Sequence, residues 1–139
     1  MIGSSGISID HLGIAVASIE EALPFYRAAL LPNEPIEREV VAHEGVTVAM
    51  VPVGGSRVEL LEPLHADSVI GRFLAKRGPG LHHVAFRVPD LAAAIERMKF
   101  TGARLLNEPR TGAGGHLYVF VHPASTGGVL IELIQEQGS

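Results

Sequence analysis

The 139-residue chain contains no cysteine, which rules out disulfide bonds and thiolate coordination and takes away one support for a secreted protein. Any metal must therefore be held by imidazole, carboxylate or carbonyl groups. A basic block is missing too. With 11 basic residues against 15 acidic ones, the formal charge of -4 offers no electrostatic reason for nucleic-acid binding, and an anionic substrate needs a local basic pocket. No apolar run approaches the roughly 18 residues of a membrane span. The opening MIGSSGIS has neither the cationic start nor the apolar core of a signal peptide. These absences lead to the expectation of a cytoplasmic protein with no membrane and no nucleic-acid partner. What is present is a 47% apolar content, enough to build one domain with a hydrophobic core over residues 1–139.

The order of apolar residues predicts a strand from Ser8 to Val16, with Ile9, Leu12, Ile14 and Val16 around a polar Asp10-His11 pair. A helix follows: Ser18 is its N-cap, Glu21 stands at the capping-box spacing, and Ile19, Ala22, Leu23, Tyr26 and Leu30 recur at helical intervals. Pro24 is expected to kink it. Three β-like runs come next, Ile36 to Val41, Val46 to Val53 and Arg57 to Leu61, separated by turns at Glu44-Gly45 and Gly54-Gly55. A short helix over about Asp67 to Lys76 then leads into Gly78-Pro79-Gly80, the expected junction.

Beyond the junction the pattern repeats. HLGIAVASI from His11 lines up with HVAFRVPDL from His83, 72 residues later, so that Asp90 becomes a second N-cap. Helical spacing continues through Ala94, Ile95 and Met98 to a stop at Gly102. GGSRVELL from Gly54 lines up with GGVLIELI from Gly127 at an offset of 73, one inserted residue having intervened. The fold class that follows is α+β, with two tandem βαβββ modules. Module 1 covers about 8–64, a short helix and linker 65–80, and module 2 about 81–136.

Each half brings a metal-capable histidine and glutamate to equivalent places, His11 and Glu59 in the first, His83 and Glu132 in the second. Both glutamates lie in strongly apolar strands, where an isolated charge is costly and calls for a partner, a metal or a raised pKa. A ring of two imidazoles and two carboxylates suits Zn, Mn, Co, Ni or Fe(II), with positions left open for substrate oxygens. Any one of the four, taken alone, reads more simply as a hydrogen-bonded core histidine or a solvent-facing strand glutamate; their occurrence as two symmetry-related pairs favours the metal. His82 must point to the opposite sheet face from His83 and is read as structural. His65, His116 and His122 are expected at the surface.

DHLGIAV, VELLEPL, DSVIGRFLAKRGPGLHHVAFRV and HPASTGGVLIELIQ carry a resemblance that runs from Ile9 to Gln135. The chain resembles the vicinal-oxygen-chelate (glyoxalase/bleomycin-resistance) superfamily and, within it, the methylmalonyl-CoA epimerases, to which GLHHVAF and HPASTGGVLIEL are the more specific pointers. The resemblance implies an open, cup-shaped mixed sheet around a divalent ion held by His11, Glu59, His83 and Glu132, a homodimer, and an acyl-CoA substrate epimerised at C2 through a metal-stabilised enolate. It makes Glu132 both ligand and base. The opposing base is expected from the segment before Gly45, where related epimerases have glutamate two residues ahead of the glycine. Here that position is His43, and the glutamate is the adjacent Glu44; either residue fits the role. Ala124 stands where many relatives have lysine, which bears on acyl-CoA preference. Alternatives within the superfamily are a glyoxalase I type isomerase (lactoylglutathione lyase) and a ligand-sequestering protein of the bleomycin-resistance type. Retention of all four ligands argues against the latter, and an extradiol dioxygenase, with two histidines and one glutamate, matches less well.

Overall fold

The computed structural model describes residues 6–112 and 115–136, so the opening of the N-terminal stretch considered above lies outside the described residues. The chain forms two compact units. One is His11–His82, and the other joins the residues up to Asp10 with those from His83 onward. Among the described residues no helix is long and apolar enough to cross a membrane.

In the first unit, β1 (Ser8–Ala15, its part from His11) is followed by α1 (Ile19–Leu30), β2 (Glu37–Val41), β3 (Val46–Val53), β4 (Ser56–Pro63) and α2 (Val69–Arg77). The strand order is β2-β3-β4-β1. β2 with β3 and β3 with β4 are antiparallel, the latter pair closing through Gly54-Gly55, where Val53 faces Ser56. β1 and β4 are parallel, an arrangement that needs a long crossover, and α1 with the two strands after it provides it. Alternation along the strands then sorts the core into two layers. Val16, Ile19, Leu23, Ala49, Val51 and Leu60 pack on the α1 side. Ala15, Val46, Val48, Leu61 and Ile70 pack on the α2 side. Helix α1 runs through Pro24 without interruption, and α2 starts at Val69 rather than near Asp67 because Ser68 is its N-cap, accepting the Gly71 N–H.

The second unit repeats the plan with β5 (Gly80–Val88, its part from His83), α3 (Leu91–Phe100), β6 (Arg110–Thr111), β7 (Leu117–Val121) and β8 (Ile131–Gln135), in the order β5-β8-β7-β6. Asp90 caps α3 by accepting the Ala93 N–H, and the helix stops before Gly102 as expected. Val88, Leu91, Ala94, Ile95 and Val119 form its core. The second strand of this half, β6, is only two residues long. The cause is local. The Asn107 side chain takes the N–H of Phe120, and Pro109 has no N–H to offer, so the stretch from Arg104 keeps only separate bonds such as His122 N–H to Arg104 O and Leu106 N–H to Phe120 O.

Candidate metal centre

Register places the histidine and glutamate of each unit side by side. In the parallel β1–β4 pair Glu59 stands opposite Gly13, two residues on from His11; in the parallel β5–β8 pair Glu132 stands opposite Ala85, two residues on from His83. Side chains two apart share a face, so each glutamate lies beside its histidine for the same reason in both halves. His11 Nε2 is 3.6 Å from Glu59 Oε1, and His83 Nε2 is 3.5 Å from Glu132 Oε1, with all four side chains largely buried. In the first unit this face is the one α2 packs on, its Ile70 clustering with Ala15, Val46, Val48 and Leu61, and partly buried Met50 lies against the same cluster. On the neighbouring strand Met50 faces Glu59. The corresponding neighbour of Glu132 is Phe120, whose ring meets His83 edge to face at a centroid distance of 6.0 Å.

The donor set fits a divalent ion. Separations of 3.5 and 3.6 Å are too long for good hydrogen bonds within the pairs. They come close to the spacing of two neighbouring ligands on one ion, roughly 3.0–3.4 Å for metal–ligand bonds of about 2.1 Å. Imidazole and carboxylate together, with no thiolate, are the ligands of Zn, Mn, Co, Ni or Fe(II).

Several contributors were not foreseen from sequence. Arg57 Nε donates to Glu59 Oε2 at 2.8 Å, compensating a carboxylate in an apolar strand. The signal was there, since residues two apart on a strand share a face. Asp10, buried next to His11, accepts from Arg87 Nε and Nη2 at 3.0 and 2.9 Å, a pairing across 77 residues that nothing local announces. The helix after each first strand is held by its last strand: the Ile19 N–H donates to Glu62 Oε1 at 2.7 Å and the Leu91 N–H to Gln135 Oε1 at 2.5 Å. Glu62 and Gln135 are repeat equivalents, 73 residues apart.

His43 and Glu44 lie on a one-turn 3-10 helix, Ala42–Glu44, between β2 and β3. Strand alternation therefore does not decide which of them is aimed inward. Both side chains are exposed, with His43 Nε2 3.9 Å from Glu44 Oε2. Val46, where β3 leaves this turn, is four residues from Met50 opposite Glu59, roughly 13 Å along the strand at about 3.3 Å per residue. His82 packs edge to face on Phe73 at 5.0 Å, consistent with a structural role; burial pushes its pKa down, and the Arg77 charge adds to this. His122 accepts the Ala124 N–H at the start of the Pro123–Ser125 turn, and His116 Nδ1 bonds the Gln135 carbonyl. His65 is exposed but engaged, its Nδ1 2.6 Å from Asp67 Oδ1.

The chain is also similar to known proteins over most of its length. The profile of the Glyoxalase/Bleomycin resistance protein/Dioxygenase superfamily matches residues 10–120. An uncharacterized protein of Bacillus subtilis is 40% identical over 131 residues, covering 94% of this chain and 93% of its own. The ethylmalonyl-CoA/methylmalonyl-CoA epimerase of Cereibacter sphaeroides is 38% identical over 130 residues, covering 91% and 96% respectively. The crystal structure of methylmalonyl-CoA epimerase from Mycobacterium tuberculosis superposes with a TM-score of 0.84 at 37% identity, covering 99% of this chain and 94% of that one. The α+β fold expected from the sequence is the fold of these relatives. The chain belongs to the methylmalonyl-CoA epimerase family, within the Glyoxalase/Bleomycin resistance protein/Dioxygenase superfamily.

Proposed function

We propose that this protein epimerises methylmalonyl-CoA at C2, with His11, Glu59, His83 and Glu132 as ligands of one divalent ion. The observation that carries the reading is the matched register of the two halves, which puts a histidine and a glutamate at 3.6 and 3.5 Å in the same structural place twice. Membership of the epimerase family supports the substrate, a thioester with a carboxylate on the same carbon. When bound, a divalent ion would supply positive charge where the enolate oxygen develops negative charge. The remaining work falls to side chains. Glu132 removes or returns the C2 proton on one face, in a wall of apolar side chains that includes Phe120. Inversion needs a second proton carrier on the other face, and we assign it to the Ala42–Glu44 turn, to Glu44 first and His43 as the alternative. The N/O donor set accepts Co, Mn, Ni, Zn or Fe(II), and metal availability chooses among them. The same reading carries a homodimer from the family resemblance and a cytoplasmic location from the sequence; sedimentation of the purified protein checks the former.

The test is deuterium exchange into a single epimer of methylmalonyl-CoA in heavy water, with and without added metal. Metal-dependent exchange and inversion are expected. An inert substrate under metal-replete conditions overturns the assignment. For the second base, Glu44→Gln is expected to reduce inversion strongly with metal content unchanged and His43→Asn to act less; the reverse ranking moves the role to His43.

A further inference from the structure

The turn that carries His43 and Glu44 is clamped from outside. Gly45 ends it at φ +67°, in the left-handed region that favours glycine. A Cβ placed on Gly45 meets Ser68 Cβ at 2.8 Å and His65 Nε2 at 3.3 Å, so the His65 ring and Ser68 are packed against its backbone. The Gly45 carbonyl accepts the Leu64 N–H at 2.8 Å. His65 is itself held: Asp67 Oδ1 lies 2.6 Å from its Nδ1, which aims Nε2 at the turn. Its carbonyl accepts both the Ser68 hydroxyl and the Ser68 N–H, at 2.8 and 3.2 Å. This loop in turn sits against Gly71 in the first turn of α2, where a Cβ would meet the carbonyl oxygens of Ala66 and His65 at 2.5 and 2.6 Å. One contiguous path of contacts therefore runs from α2 through His65 and Ser68 to Gly45 and the Ala42–Glu44 turn.

We propose that His65, oriented by Asp67 and seated with Ser68 on Gly45, is a positioning residue for the proton carrier on that turn. The inference rests on the reading that the turn carries the second acid/base group. A side chain on a short exposed turn samples many directions, and proton transfer at C2 is sensitive to small displacements. The clamp restricts the turn without touching the His11–Glu59 pair. Its loss therefore slows proton delivery on one face of C2 and leaves exchange on the Glu132 face and metal binding in place.

The experiment follows one epimer of methylmalonyl-CoA in heavy water with the metal-loaded protein. Inversion and exchange with retention are recorded separately by NMR, and metal content by elemental analysis, for parent, His65→Ala, Gly45→Ala, Glu44→Gln and His43→Asn. His65→Ala is expected to lower inversion about fivefold or more, with retention exchange and metal content at parent level; Gly45→Ala, if folded, is expected to do the same more severely. Parent-like inversion in His65→Ala, alongside a loss in Glu44→Gln or His43→Asn, overturns the clamp and leaves the turn as the base. An equal fall of inversion and retention exchange in His65→Ala, or loss of metal, also overturns it by revealing a general structural defect. Parent-like inversion in both Glu44→Gln and His43→Asn removes the base from this turn and the proposal with it.

Discussion

Arg57 donates to Glu59 across two residues of β4, at 2.8 Å, and the repeat places Leu130 where the second half would need a matching guanidinium. Glu59 has one oxygen anchored to a cation and the other near His11, an arrangement suited to a fixed ligand.

Arg57→Leu gives the first half the residue of the second. In metal-free protein it is expected to lower stability by about 1 kcal/mol, less than the roughly 1.5–3 kcal/mol of a hydrogen bond to a charged group because the arginine side chain is 36% exposed and partly screened. Arg57→Lys recovers part of this, since an ammonium lacks the directed Nε–H. Urea midpoints at unchanged slope report both.

His11→Ala and His83→Ala are each expected to remove most of the bound metal and leave a folded domain, because the cores of the two units are built from other, apolar residues. Elemental analysis alongside circular dichroism decides this. Full occupancy in both variants would eliminate the ligand set. Chelation of the parent is expected to lower its melting temperature; an ion at 100 times its Kd contributes about 2.7 kcal/mol to the native state.

Glu62→Ala and Gln135→Ala each remove the acceptor for the first N–H of a helix, and each is expected to cost about 1 kcal/mol. Gln135→Ala is the more damaging of the two, because its amide also donates to the Pro89 carbonyl. Denaturant titration of the two variants checks the order. A neutral Gln135→Ala would contradict the structural equivalence of the halves.

The hydrogen bond from His65 holds the Asp67 carboxyl below the usual carboxylate range, with its own backbone contributing next. As pH falls, the unfolded chain takes up this proton first, near its ordinary value of about 3.9. The stabilisation is therefore complete above that value and disappears as pH drops through the lowered native value. Asp67→Asn removes it at every pH. The difference in urea midpoint between parent and Asp67→Asn should then shrink as pH falls below about 4; a difference that grows over that range would reverse the sign of the shift.

Much of the molecule was legible in the order of its residues. The repeat paired His11 with His83 and Glu59 with Glu132, and the caps Ser18 and Asp90 stand where the apolar periodicity put them. These features depend on neighbours a few residues apart, or on similarity between two stretches, and both are properties of the chain alone. Other features needed the folded chain. Whether Asp10 meets Arg87 depends on contacts 77 residues apart, and the shortness of β6 depends on the Asn107 side chain taking the N–H of Phe120. Adjacent residues such as His43 and Glu44 point to opposite faces only on a strand, and the backbone between β2 and β3 is a 3-10 turn packed under His65 and Ser68, where alternation has no force. Local periodicity determines which faces are apolar and which residues recur in each half. Where a turn is aimed and which charges meet is decided only when distant segments compete for the same backbone donors and the same space.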